Sequence, residues 1–187
     1  MNLTWIKITV LTLGLSLSAI PWGMGMVHAG SKTQTVQTNG SVKVGQKLPA
    51  FGGWSTTGKR MALATLLKSL KGTSNHLIIS VFSSICKPCR KGLPMLQQFA
   101  NTPEGKNNQF VLVAYGETNA QVKDMLKDLK VTLPVLEDKY TKISGRIGVD
   151  GVLPRTYVVD AKGVVKAIIA EEGDDFVDVL KKLTRKP

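Results

Sequence analysis

Apolar and polar positions change period along this chain in a way that separates strands from helices. Residues 77–82 (Leu-Ile-Ile-Ser-Val-Phe) form a nearly continuous apolar run with β-branched members, as in a strand covered on both faces. Residues 110–115 repeat that pattern, and the stretch between the two runs predicts a helix over about 88–100. Leu63, Leu66, Leu67 and Leu70 suggest a short helix ahead of the first run. Val122, Met125, Leu126 and Leu129 fall at i, i+3, i+4 and i+7, and Thr118 or Asn119 can cap the helix they define. Residues 133–136 read as a short strand and 140–147 as a further helix. Residues 156–160 and 164–170 read as strands joined across Ala161-Lys162-Gly163, a turn by its glycine. Phe176, Val179, Leu180 and Leu183 stripe a closing helix from Asp174, with Asp174 and Asp175 at its start and Lys181 and Lys182 near its end, as the helix dipole prefers. Alternation of this kind, ending in a hairpin and a helix, predicts an α/β fold with a mixed central sheet flanked by helices.

The first 29 residues have a different logic. One lysine, Lys7, precedes an apolar stretch over 8–20, Pro21 ends any helix, and Val27-His28-Ala29 offers small residues where a signal peptidase reads. This is the pattern of a cleaved signal peptide. An uncleaved anchor is the competing reading, since residues 8–27 are about long enough to span a bilayer, although Pro21, Gly23 and Gly25 interrupt the run. Either way the domain faces an oxidising, extracytoplasmic compartment such as the periplasm. Residues 30–46 are polar and read as a linker or loose strand, with the domain expected over 47–187.

Composition narrows the partners. The 187 residues are 43% hydrophobic, enough for one domain with a core of its own. Residues 1–29 hold one Lys and no acid, so the remainder carries 24 basic and 13 acidic residues, a net of +11. That balance favours acidic partners or membrane surfaces, and a plain solvated surface accounts for it equally well. No nucleic-acid recognition motif is present, so nucleic acid is not an expected partner.

Only two cysteines occur, Cys86 and Cys89, where the 77–82 strand gives way to a helix. Catalytic groups of open α/β sheets gather at such strand ends. A helix N-terminus stabilises an anion, here the Cys86 thiolate, and Lys87, Arg90 and Lys91 add positive potential. Pro88 suits the first helical positions. Cys89 falls on the same helical face, within bonding reach and expected to be the more buried. Cys86 is thus the expected attacking thiol and Cys89 the resolving one, with their own disulfide as the only redox group needed and no other cofactor. Zinc would want about four ligands, and beyond the cysteines the chain has only His28 and His76. A purely structural bridge closing so short a loop would stabilise little.

These residues resemble the thioredoxin superfamily. Pro94, five residues after the second cysteine, matches the family's helix proline, and Pro154 in Gly148-Val-Asp-Gly-Val-Leu-Pro-Arg-Thr-Tyr resembles its cis-proline. In the family that loop lies against the sulfurs and pairs with substrate, a role carried here to Pro154 with Leu153 beside it. Pro49-Ala-Phe51, Gly58-Lys59, Leu63 and Leu66 resemble the N-terminal β-hairpin of the exported TlpA/ResA-like branch, and residues 118–136 its central helix–strand insertion. The resemblance spans about 43–185. It implies an exported thiol–disulfide oxidoreductase acting on disulfides of other exported proteins, those of cytochrome c maturation among them, and fed by a membrane electron donor.

Three positions depart from the family pattern. Ile85 replaces the usual Trp, Ser80 the buried acid six residues before the first cysteine, and Gly92 the Glu that many relatives carry three residues after the second. The expectation is a site without a proton-managing carboxylate, tuned by cations to a higher potential than thioredoxin's. Lys87, Arg90, Lys91 and Arg155 are expected to form a basic rim that steers acidic partners. Other functions on this fold fit less well. A peroxidase wants a proline where Ile79 stands, a copper carrier spaces its cysteines one residue wider and adds a histidine, and a non-catalytic binding module would not need Cys86.

Overall fold

The run at 77–82 lies at the centre of the sheet. The computed structural model describes residues 34–35, 42–70 and 76–185. Among them β4 (His76–Phe82) is flanked by β5 (Gln109–Tyr115), parallel, and by β7 (Arg155–Asp160), antiparallel. β6 (Val135–Asp138) extends the sheet beyond β5, while β8 (Val165–Glu171) and β1 (Gln34–Thr35) extend it beyond β7, giving the order β1-β8-β7-β4-β5-β6. A separate hairpin, β2 (Gly52–Trp54) with β3 (Arg60–Ala62), precedes α1 (Leu63–Ser69). The remaining helices are α2 (Lys87–Asn101), α3 (Asn119–Asp128), α4 (Lys142–Arg146) and α5 (Phe176–Thr184). This is the thioredoxin-like architecture, with its N-terminal hairpin and with α3 and β6 as the central insertion.

Successive β4 side chains feed two separate cores, as the two-residue period requires. Leu77, Ile79 and Val81 join one apolar cluster with Leu63, Leu66 and Tyr157. Ile78 and Phe82 join the other, with Leu93, Leu96 and Phe99 of α2 and Phe176 and Leu180 of α5. Burial on both faces explains why β4 carries no alternation in its sequence. One polar residue, Ser80, interrupts it and is fully buried.

Three boundaries differ from the sequence reading. The strand expected at 133–136 begins at Val135, after Pro134, which has no N–H to give a ladder. The helix expected over 140–147 shortens to α4, whose Ile143 and Ser144 N–H groups donate to the Asp138 carboxylate at 3.0 and 2.8 Å. Packing also begins earlier than residue 47. Val42 is buried, the Gly45 N–H donates to the Val165 carbonyl at 2.8 Å, and β1 pairs with β8 from within the expected linker. The expected export segment, 1–29, lies outside the described residues. Among the described residues no helix is long and apolar enough to cross a membrane.

Candidate active site

Cys86 caps α2 in an extended conformation (φ −76°, ψ 104°), and the Cys89 N–H donates to its Sγ at 3.2 Å. The two cysteines are joined by a disulfide with a Cα–Cα distance of 5.3 Å. Lys87 opens the helix and Pro88 takes its second position, where a missing N–H costs nothing. The pair is asymmetric: Cys89 is 0% exposed within the α2-side core, whereas Cys86 is half-buried at its border. One cysteine therefore meets solvent and the other is enclosed by the core.

The approach to Cys86 is held by an acid that sequence reasoning missed. The Ser84 N–H donates to the Glu117 carboxylate at 2.8 Å, and the Ser84 hydroxyl donates to the same group. Glu117 lies just beyond β5, so two neighbouring strand ends are tied together beside the dithiol. Ile85, in the place usual for Trp, projects into solvent at 88% exposure. The Leu153–Pro154 bond is cis. Pro154 is buried, and Leu153 is half-buried against both cores, including the one Cys86 borders.

The expected rim of four cations is not assembled. Lys87 and Arg90 are exposed at the helix start. Lys91 is tied to Asp174 at 2.6 Å. Arg155 is 5% exposed, too deep to meet a partner. As the first residue of β7 it points to the face opposite Thr156, with the Asp150 carboxylate 3.9 Å away and its Nε unpartnered.

The expectation of a site without a buried acid is overturned. Glu172, just past β8, is 4% exposed. Its Oε1 accepts from the Thr156 hydroxyl at 2.7 Å and, more weakly, from the Ser80 hydroxyl at 3.5 Å. Ser80 and Thr156 face each other across β4 and β7. The carboxylate also occupies the room left by Gly92, since a Cβ built there would lie 1.6 Å from Oε2. Both positions that lack the family's usual acids thus line the pocket of this one. Burial pushes the Glu172 carboxyl up to about 7, against the two hydroxyl hydrogen bonds that pull it down.

A model of the AhpC/TSA family matches residues 44–168. The chain belongs to that family. The thiol-disulfide oxidoreductase ResA of Bacillus cereus is 30% identical over 145 residues, which cover 76% of this chain and 80% of that relative. The thioredoxin domain of thiol-disulfide oxidoreductase BVU-2223 from Bacteroides vulgatus superposes with a TM-score of 0.64 at 21% identity, over 78% of this chain and 100% of that one. StoA from Bacillus subtilis superposes with a TM-score of 0.58 at 22% identity, over 74% and 98%. At such identities the two structures establish the shared fold. Together with the Cys86–Cys89 disulfide, the ResA relationship makes this family member a thiol–disulfide oxidoreductase.

Proposed function

We propose that the protein is an exported thiol–disulfide oxidoreductase in which Cys86 attacks and Cys89 resolves. The observation that carries the assignment of roles is the asymmetric burial of the two cysteines at the α2 N-terminus. In the reducing direction the Cys86 thiolate attacks one sulfur of a substrate disulfide. That S–S bond breaks, and the leaving thiolate takes up a proton. Cys89 then loses its proton and attacks Cys86 Sγ, the mixed disulfide breaks, and the second substrate thiol departs. Two electrons and two protons pass to the substrate, and a dithiol donor must return them to Cys86–Cys89.

The substrates in this reading are disulfides of other exported proteins, with thiols of cytochrome c maturation as the named candidate and a membrane protein as donor. The ResA relationship and the export-like residues 1–29 support it. Leu153 and cis-Pro154 form the edge on which a substrate backbone would pair, and Lys87 and Arg90 supply the positive border. The experiment is a trap. With Cys89→Ser in the exported protein, the substrate remains disulfide-linked to Cys86 and is identified from the linked species. If no linked species forms, or if linkage survives Cys86→Ser, the proposal fails.

A further inference from the structure

Resolution by Cys89 requires that a thiol sealed from solvent lose its proton, because the thiolate is the attacking form. At 0% exposure Cys89 meets no bulk solvent in the closed fold, so hydroxide reaches it only through transient openings that count at high pH. The helix that carries it turns a bare backbone position, Gly92, toward the same interior one turn later. Side chains three residues apart on a helix have Cβ atoms about 5–6 Å apart. The Glu172 carboxylate fills the volume a Gly92 side chain would take, so it lies about one helical turn's spacing from Cys89. We infer that Glu172 accepts the Cys89 proton in the resolving step and returns it when the disulfide is reopened. The inference rests on the assignment of Cys89 as the resolving thiol.

The surroundings suit a group that changes charge. The polar groups that β4 and β7 bring to Glu172 are the hydroxyls of Ser80 and Thr156, which can donate to a carboxylate or accept from a carboxylic acid. From α2 the pocket receives Cys89 and Gly92, while Lys91 reaches outward to Asp174. From α5 the inward residues are Phe176, Leu180 and Thr184, whose hydroxyl donates to the Leu180 carbonyl, and Asp178 pairs with Lys181 at the surface. Arg155, next to Thr156, points to the opposite face. His76 shares Ser80's face of β4 but lies four residues away, about 13 Å along the strand. Along its own chain, Glu171 and Asp174 are exposed and Asp175 is half-buried. Among the described residues the titratable group that shares the interior with Glu172 is thus the resolving thiol, and a carboxyl poised near neutrality is suited to exchange a proton with it.

In this step the Cys89 S–H proton passes to Glu172. The Cys89 electron pair forms the bond to Cys86 Sγ, and the bond from Cys86 Sγ to the substrate sulfur breaks with its pair on the departing thiolate.

Reduced protein mixed with 5,5′-dithiobis(2-nitrobenzoate) separates the two steps, because Cys86 releases the first thionitrobenzoate and Cys89 the second. Glu172→Gln is expected to leave the first phase within about twofold and to slow the second at least tenfold at pH 7. The variant should catch up at high pH, where solvent base deprotonates the thiol. Ser80→Asp in the Glu172→Gln background returns a carboxyl to the pocket from β4 and should restore the second phase. An unchanged second phase in Glu172→Gln overturns the inference and leaves the roles of the two cysteines standing. Equal slowing of both phases, not rescued by Ser80→Asp, also overturns it. A first phase that survives Cys86→Ser would instead overturn the assignment of the attacking thiol.

Discussion

Replacing Glu172 with Gln should change how stability depends on pH, by an amount the pocket allows one to work out. In the folded protein burial raises this carboxyl from an ordinary 4.5 to about 7. A difference of that size is worth roughly 3 kcal/mol between protonation states. An unfolded chain releases this proton near pH 4.5, whereas the folded chain holds it until about pH 7. Between those values the folded state binds more protons, so its stability falls as pH rises. The contribution is fully present below the unfolded value and is lost as pH passes through the folded one. Gln keeps a side-chain oxygen for Thr156 and Ser80 but has no proton to lose. The oxidised form is the one to use, because neither cysteine then titrates. Denaturant unfolding from pH 4 to 8.5 should show Glu172→Gln gaining about 3 kcal/mol relative to the native chain across that range. In a thermal scan the same gain is roughly 6–12 °C for a chain of this size. A constant difference between variant and native protein from pH 4 to 8.5 would refute the account of the buried carboxyl.

Gly92→Ala should cost about 1–3 kcal/mol, because its Cβ and the Glu172 carboxylate claim one volume. A double-mutant cycle with Glu172→Ala should return at least ~1 kcal/mol of coupling by denaturant unfolding. Glu117→Ala removes the acceptor of two Ser84 hydrogen bonds and should lower stability by about 1–3 kcal/mol, with a faster amide exchange at Ser84 as the local readout. Asp174→Asn breaks an exposed pair, with side chains 55% and 63% accessible, and should shift stability by less than about 1 kcal/mol. With a dithiol donor the protein should consume no hydrogen peroxide, measured by loss of peroxide absorbance.

The dithiol, its helix and the order of elements are legible in the sequence because each rests on local signals. β4 announces itself by six apolar or small residues in a row, and Cys86 and Cys89 by their spacing. Thr118 marks the start of α3, where its N–H donates to the Gln121 side chain at 2.8 Å. The acid is not legible, because its relation to Cys89 spans the whole fold. Glu172 sits in the run Glu171-Glu172-Gly173-Asp174-Asp175, which reads as solvated charge at a helix start. Only the sheet order, which sets β8 beside β7 and β7 beside β4, brings it under α2. Two faint signals do exist: Ser80 as the lone polar residue in the apolar run 77–82, and Gly92 as a bare position on the buried face of a helix. Each taken alone looks like a loss, whereas together they describe a vacancy with polar walls. Arg155 escapes prediction for a related reason, since proximity to Pro154 in sequence does not say which face of β7 a side chain takes.

Gly92 and Glu172 also set a rule of mutual exclusion. The interior behind the dithiol has room for a single carboxyl, which can enter from the helix at position 92 or from the strand end at position 172. A chain with side chains reaching in from both would have to displace one. In this chain the glycine at the first position is what leaves room for the acid arriving at the second.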